Sequence, residues 1–293
     1  MTRMRRGVVL QGVDAVDEFL SMATRVEAMG FDHLWLTESS LHARDPYQLL
    51  SLAARATTKI RIGTAVTNPV TRHPALATLE ASIAAIRALM AGETVTSDGP
   101  GFALVQAHMR FGAQSDLPVF VSASGPRTLE LAGAIADGVI LLCGLDPAVV
   151  NWALERVDAG AAKAGRARPH IALFVYGVID EDEEVAIAGA RPIAAWFPQT
   201  APAYCDLVGL DPDIARQVRE TYQGGEFQEA SRAAQLLPAD FVQKMAVAGN
   251  RDRFTSQLVA LEETGVDSVH ILPMGDDRMA TVLAFDECWS RLQ

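Results

Sequence analysis

The chain has 293 residues, 49% of them hydrophobic and 21% charged, and a formal net charge of −11. That is enough apolar material for one sizeable core, and α/β barrels of roughly this length (~250 residues) commonly form one domain, so a single domain over 1–293 is expected. The acidic balance, with no Lys/Arg block to offset it, argues against nucleic acid and anionic membranes and leaves a small molecule as the expected partner.

Along the chain, short β-rich runs alternate with longer amphipathic ones. The first strand is Gly7 to Leu10. A helix follows from about Asp14, with Val16, Phe19, Leu20, Ala23 and Val26 at helical spacing, and Gly30 supplies its stop. The second strand is His33 to Thr37, a helix covers Pro46 to Ala56, and the third strand is Ile60 to Val66. A helix from about Pro74 to Ala91 leads into a polar, glycine-rich excursion, read as a hairpin with Phe102 to Val105 as one arm. Strand Pro118 to Ser122, helix Arg127 to Ile135, strand Gly138 to Leu142, helix Ala148 to Ala164 and strand Ile171 to Ile179 follow in order. A mostly helical insertion spans about 181–247, and the last unit is helix Arg253 to Glu263, strand Ser268 to Leu272 and helix Arg278 to Leu292.

Repeating strand–helix order with short connections implies parallel strands with helices outside, the pattern of a (β/α)8 TIM barrel. Seven core strands are legible where a closed barrel takes eight, and the gap falls between Val66 and Pro118. An open doubly wound sheet is the alternative, but no GxGxxG follows the first strand. The three cysteines, Cys143, Cys205 and Cys288, share no metal-ligand spacing, so neither a disulfide framework nor a metal site is expected. The basic N-terminus lacks a signal-length apolar run and no stretch approaches a membrane span, so a cytoplasmic location is expected.

Ligands of α/β barrels bind where strands end and helices begin. By strand alternation Leu34, Leu36 and Glu38 share a face, which would aim the carboxylate at the barrel mouth. Glu38 then reads either as an acid/base or ligand acceptor, or as an exposed loop carboxylate. The run GTAVTNPVTRHP (63–74) gathers hydroxyls and an amide between two prolines, although Asn-Pro and His-Pro are ordinary turn signals and His73 reads first as a surface residue. In SASGPRT (122–128) successive N–H groups at Ser124 and Gly125 would suit an anion, or Ser124 is a plain N-cap. Gly144 permits close backbone approach, and Asp146 reads as the next N-cap. His270 reads as a satisfied core histidine, and Trp35, Trp152, Trp196 and Trp289 as packing against helices.

Five segments together resemble the luciferase-like oxidoreductases, and within them the branch of methylenetetrahydromethanopterin reductases that use the deazaflavin coenzyme F420. They are FDHLWLTE (31–38), IRIGTAVTNPVTRHPA (60–75), VSASGPRTLELAGAIADGVIL (121–141), VYGVIDEDEEVA (175–186) and TGVDSVHILPMG (264–275). The resemblance implies an α/β barrel of the bacterial-luciferase type, with the cofactor ring across the strand ends and a non-prolyl cis peptide at Ala65–Val66. It implies a hydride transferred between the ring and a small organic substrate. It maps cofactor contacts onto Ala65, Val66, Thr67, Asn68, Ser122, Ala123, Ser124, Gly125 and Gly144, and the family's acidic residue onto Glu38 as the catalytic group. An FMN-dependent monooxygenase of the same superfamily and a degenerate, non-catalytic ligand-binding barrel are the alternatives. A homodimer is expected, with the 181–247 stretch shaping a pocket or a dimer interface. Relatives carry a further strand–helix unit and glycine-rich loop where ASIAAI (81–86) here runs directly into RALMAGETV (87–95), so roughly 40 residues of a fourth βα unit are absent.

Overall fold

The computed structural model describes residues 4–38, 43–66, 76–99, 102–110, 117–222 and 227–292, without the side chains of 227–229. In chain order the elements are β1 (Arg5–Gln11), α1 (Val16–Ala28), β2 (His33–Thr37), α2 (Pro46–Ala56), β3 (Arg61–Thr64), α3 (Leu76–Met90), β4 (Val95–Gly99), β5 (Phe102–Ala107), β6 (Phe120–Ala123), α4 (Pro126–Ile135), β7 (Gly138–Leu141) and α5 (Pro147–Lys163). They continue with β8 (His170–Ile179), α6 (Glu183–Ala194), α7 (Trp196–Thr200), α8 (Pro202–Leu207), α9 (Pro212–Thr221), α10 (Phe227–Ala234), α11 (Ala239–Met245), β9 (Val247–Gly249), α12 (Arg251–Thr264), β10 (Ser268–Pro273) and α13 (Arg278–Ser290).

The chain divides into two compact units. The first holds Met1–Thr67, Leu141–Leu154 and Ile171–Gln293. Its strands pair in the order β3-β2-β1-β10-β8, with β9 on β8, and every one of these pairs is parallel. Parallel strands need helices on a face, and their hydrophobic runs show it: four consecutive residues of β1 and all six of β10 are buried. Helix ends are fixed locally. Asp45, Asn250 and Asp277 each accept a backbone N–H of the first turn of α2, α12 and α13. Gly30, at φ +79°, ends α1 as its residue type predicts.

One contact fixes the curvature of this unit. Trp35 of β2 and Phe174 of β8 have ring centroids 5.8 Å apart, although two other strands separate β2 from β8. In a flat sheet three strand spacings would hold them roughly 14 Å apart. The sheet therefore curls, and Trp35 and Phe174 lie on its concave face. His33 and His270 join them, with centroids 5.3 Å apart. The Trp35 indole N–H donates to His270 Nδ1 at 3.0 Å, and His270 Nε2 meets Ser268 Oγ at 2.7 Å. His270 is the satisfied core histidine the sequence indicates. Two expectations are corrected here. Trp35 is in the barrel interior, hydrogen-bonded, and does not pack on helices. Leu34 and Leu36 lie on the opposite, convex face, and Glu38 follows Thr37, the last residue of β2, so the alternation of the strand does not set its direction. Trp152 of α5 packs on Tyr204 of α8 as read, while the ring contacts of Trp196 and Trp289 are with Phe197 and Phe285 of their own helices.

The second unit holds Asn68–Ile140 and Glu155–His170. The excursion read as a hairpin is one: β4 and β5 pair antiparallel, with a register shift between Val95 and Ser97. Strand β6 neighbours β7. Asp137 stitches this corner, accepting from Val119 N and from Arg87 Nη2, both at 2.8 Å. The stretch from α3 to the β4–β5 hairpin occupies the chain positions of the gap, and among the described residues no strand intervenes between β3 and α3. The insertion read over 181–247 comprises α6 to α11, and the three-residue β9 follows at its end.

Candidate functional site

The carboxyl ends of β1, β2 and β3 lie side by side in register: Gln11 opposite Thr37, and Leu36 opposite Thr64. Ala65 N continues the ladder by donating to Leu36 O at 2.8 Å. The Ala65–Val66 peptide is cis, at the bond to which the resemblance assigned it. Ala65 is buried, whereas Val66 is 46% exposed, an apolar side chain left open at a strand end. Thr67 and Asn68, the next two assigned contacts, lie outside the described residues.

Glu38 follows the last residue of β2. Its Oε2 and the Oγ1 of Thr37 are both shut off from solvent and have no hydrogen-bond partner among the described residues. Buried polar atoms are almost always paired, because an unmade bond costs about 1–3 kcal/mol. Two adjacent orphans among the described residues make this strand end the candidate site. Sequence reasoning singled out Glu38 and missed Thr37, which alternation from Trp35 places on the concave face.

The loop entrance beside them is braced. Arg278, in the first turn of α13, pairs with Asp14. Arg44 Nη1 donates to Val13 O at 3.1 Å and Asp14 O at 2.5 Å. These guanidinium groups are committed to holding the β1–α1 loop.

Gly144 belongs to the same unit, after β7. Its φ is +81°, and a Cβ there would lie 2.8 Å from Lys244 O and 2.9 Å from Met245 Cα. Glycine is thus required by the approach of α11, and Leu145 N donates to Lys244 O at 2.7 Å in the same contact. This gives Gly144 a structural duty that the sequence could not reveal. Asp146 is the N-cap as read, accepting from Ala148 N at 2.9 Å. Beyond it lies an open cavity of about 540 Å³ lined by Leu145, Asp146, Pro147, Lys244 and one face of α12. None of Thr37, Glu38, Ala65 or Val66 lines it, and its Arg253 is engaged by Glu183 at 3.2 Å. Cys143 is fully buried, and burial pushes its thiol up to about 12, which removes it as a nucleophile.

The other assigned contacts lie in the second unit. Ser122 is exposed and Ala123 buried at the end of β6, and Ser124 and Gly125 lead into α4. Here the N-cap is Gly125, with no side-chain cap bond, which corrects the expectation of a Ser124 cap. A Cβ on Gly125 would meet only Thr128 Oγ1 at 3.9 Å. The cap residue offers no side-chain bond to the first N–H groups of α4, and a helix N-terminus of this kind suits an anionic group. Among the described residues no cluster of His, Cys, Asp or Glu could hold a metal ion, and no helix is long and apolar enough to cross a membrane.

The family model of the luciferase-like monooxygenases matches residues 2–82 and 75–268. The chain belongs to this family. The two matched pieces overlap on 75–82, at the start of α3, so this one helix answers to two places in the family pattern. The chain is 28% identical to a 5,10-methylenetetrahydromethanopterin reductase of Methanolobus tindarius, covering 91% of this chain and 93% of the relative. That alignment runs over 311 positions, more than the whole of the present chain, as a missing internal unit requires. The fold matches that of a coenzyme F420-dependent tetrahydromethanopterin reductase from Methanopyrus kandleri, with a TM-score of 0.80 at 23% identity over 98% of each chain. It also matches an F420-dependent secondary alcohol dehydrogenase, with a TM-score of 0.78 at 17% identity over 98% of each chain. The architecture is thus an α/β barrel of the luciferase-like type, as the strand–helix alternation indicates.

Proposed function

We propose that this protein is an oxidoreductase that binds coenzyme F420 and uses it to reduce or oxidise a small organic substrate. The observation that carries the reading is the pair of solvent-excluded, unpartnered polar atoms, Thr37 Oγ1 and Glu38 Oε2, at the carboxyl end of β2. It fits a bound heterocycle, whose N–H and carbonyl groups would meet a carboxylate and a hydroxyl. The reductase named above and the F420-dependent dehydrogenase of like fold support the choice of coenzyme.

When bound, coenzyme F420 supplies a carbon that gives or takes a hydride. The work left to the chain is to bind, orient and exclude water. Ala65 and Val66 would support the ring, Val66 with its open apolar side chain. Glu38 would hold a donor or move a proton at its Oε2. An FMN-dependent monooxygenase is the second reading, favoured by the monooxygenase description of the matching family.

Parallel fluorescence titrations with coenzyme F420 and with FMN separate the two. The proposal expects coenzyme F420 to bind at least about tenfold more tightly, a difference of about 1.4 kcal/mol. Equal binding, or a preference for FMN, would count against it.

A further inference from the structure

The concave face of the first unit carries a hydroxyl that neither the sequence motifs nor the family resemblance assigns. Phe174 lies on that face, against Trp35 and with its ring 5.1 Å from His270. Strand β8 runs on from Phe174 in parallel register with β10, placing Tyr176 opposite Leu272. Side chains two residues apart on a strand share a face, so Tyr176 follows Phe174 inward, one step nearer the strand ends. On β2 the same step leads from Trp35 to Thr37. Trp35 and Phe174 touch, and the next inward side chains above them are therefore Thr37 and Tyr176.

Among the described residues both hydroxyls lack a partner. Thr37 Oγ1 is shut off from solvent with no bond among the described residues. Tyr176 makes no hydrogen bond among them either, and its surroundings push the phenol up to about 12, so it stays protonated and able to donate throughout the physiological range. Yet the residue is only half-buried, which places it against a space and not inside packed core. Beneath the pair lie the mutually tilted rings of Trp35, Phe174 and His270.

We propose that Thr37 and Tyr176 hydrogen-bond the polar edge of the planar heterocycle that binds at this mouth, with Tyr176 donating to a ring carbonyl oxygen. The inference rests on the cofactor reading above and adds two residues to it. Deazaflavin and flavin rings share a carbonyl and N–H edge, so the pair serves affinity for either ring and does not discriminate between them.

The test is a titration of the wild type, Thr37→Val, Tyr176→Phe and the double variant with coenzyme F420 and, in a second arm, with FMN. Binding is read from ligand fluorescence and from the shift of the ring absorption band. Each single variant is expected to weaken binding about tenfold for whichever ring the wild type binds. The double variant should lose less than the product of the two, because both hydroxyls act on one edge. Neither hydroxyl has a protein partner to lose, so thermal midpoints should not fall; a purely structural role would lower them. Wild-type affinity in both single variants overturns the pair while leaving the cofactor reading intact. Failure of the wild type to bind either ring overturns the cofactor reading, and the pair with it.

Discussion

Individual residues show how chemistry and architecture share the same strand ends. Glu38 and Thr37 stand out through what they lack, a partner for a buried oxygen. Gly144 stands out for the opposite reason, since its backbone is held by everything around it. A methyl group there meets Lys244 O at 2.8 Å in a left-handed conformation. Gly144→Ala is therefore expected to cost about 1–3 kcal/mol, read as a lowered denaturant midpoint with an unchanged slope. A midpoint equal to the wild type would mean that α11 yields freely and that the glycine serves only ligand approach. The motif at 143–147 shows that a glycine is needed but not which neighbour needs it, because Lys244 and Met245 come from a helix 100 residues on.

At the scale of elements, the polar ladder across the barrel interior sets β2 against β10. Trp35 donates to His270 Nδ1, so the imidazole carries its proton on Nε2, toward Ser268 Oγ. Trp35→Phe keeps an aromatic side chain but removes the indole donor and part of the ring volume, and should cost at least about 1–3 kcal/mol in calorimetry. The positions of the strands were legible from short apolar runs between glycines and caps, as β1, β2, β7 and β10 show. Their facing was not. Both faces of a parallel strand are buried, so His33-Leu34-Trp35-Leu36 offers no polar side to mark the outside. The expected inward face of β2 was accordingly the wrong one, and Thr37 was passed over with it. Strand β9 escaped notice because Val247–Gly249 is too short to carry any periodicity. The cis bond at Ala65–Val66 came from family resemblance, since no local pattern encodes it.

For the whole molecule, two buried thiols and the half-buried, desolvated Tyr176 phenol shape the alkaline limit. Burial raises Cys143 and Cys205 from 9.0 to about 12 and Tyr176 from 10.0 to about 12. Above pH 9 the unfolded chain sheds these protons while the folded one keeps them, so stability is full below that pH and falls as pH rises toward 12. Urea midpoints should decline over that window, and Cys143→Ala should flatten part of the decline. The gap between β3 and the second unit is equally a property of the whole. Overlapping family matches on α3 and an alignment longer than the chain both accord with the missing βα unit that the sequence indicates. The cofactor site proposed above requires the strand ends of the first unit to bind a ring despite that loss. Incubating the purified protein with coenzyme F420, desalting it and recording the absorption spectrum tests this most directly. The account predicts that the deazaflavin band elutes with the protein at near-stoichiometric amount; a protein fraction free of it, with FMN likewise not retained, would contradict it.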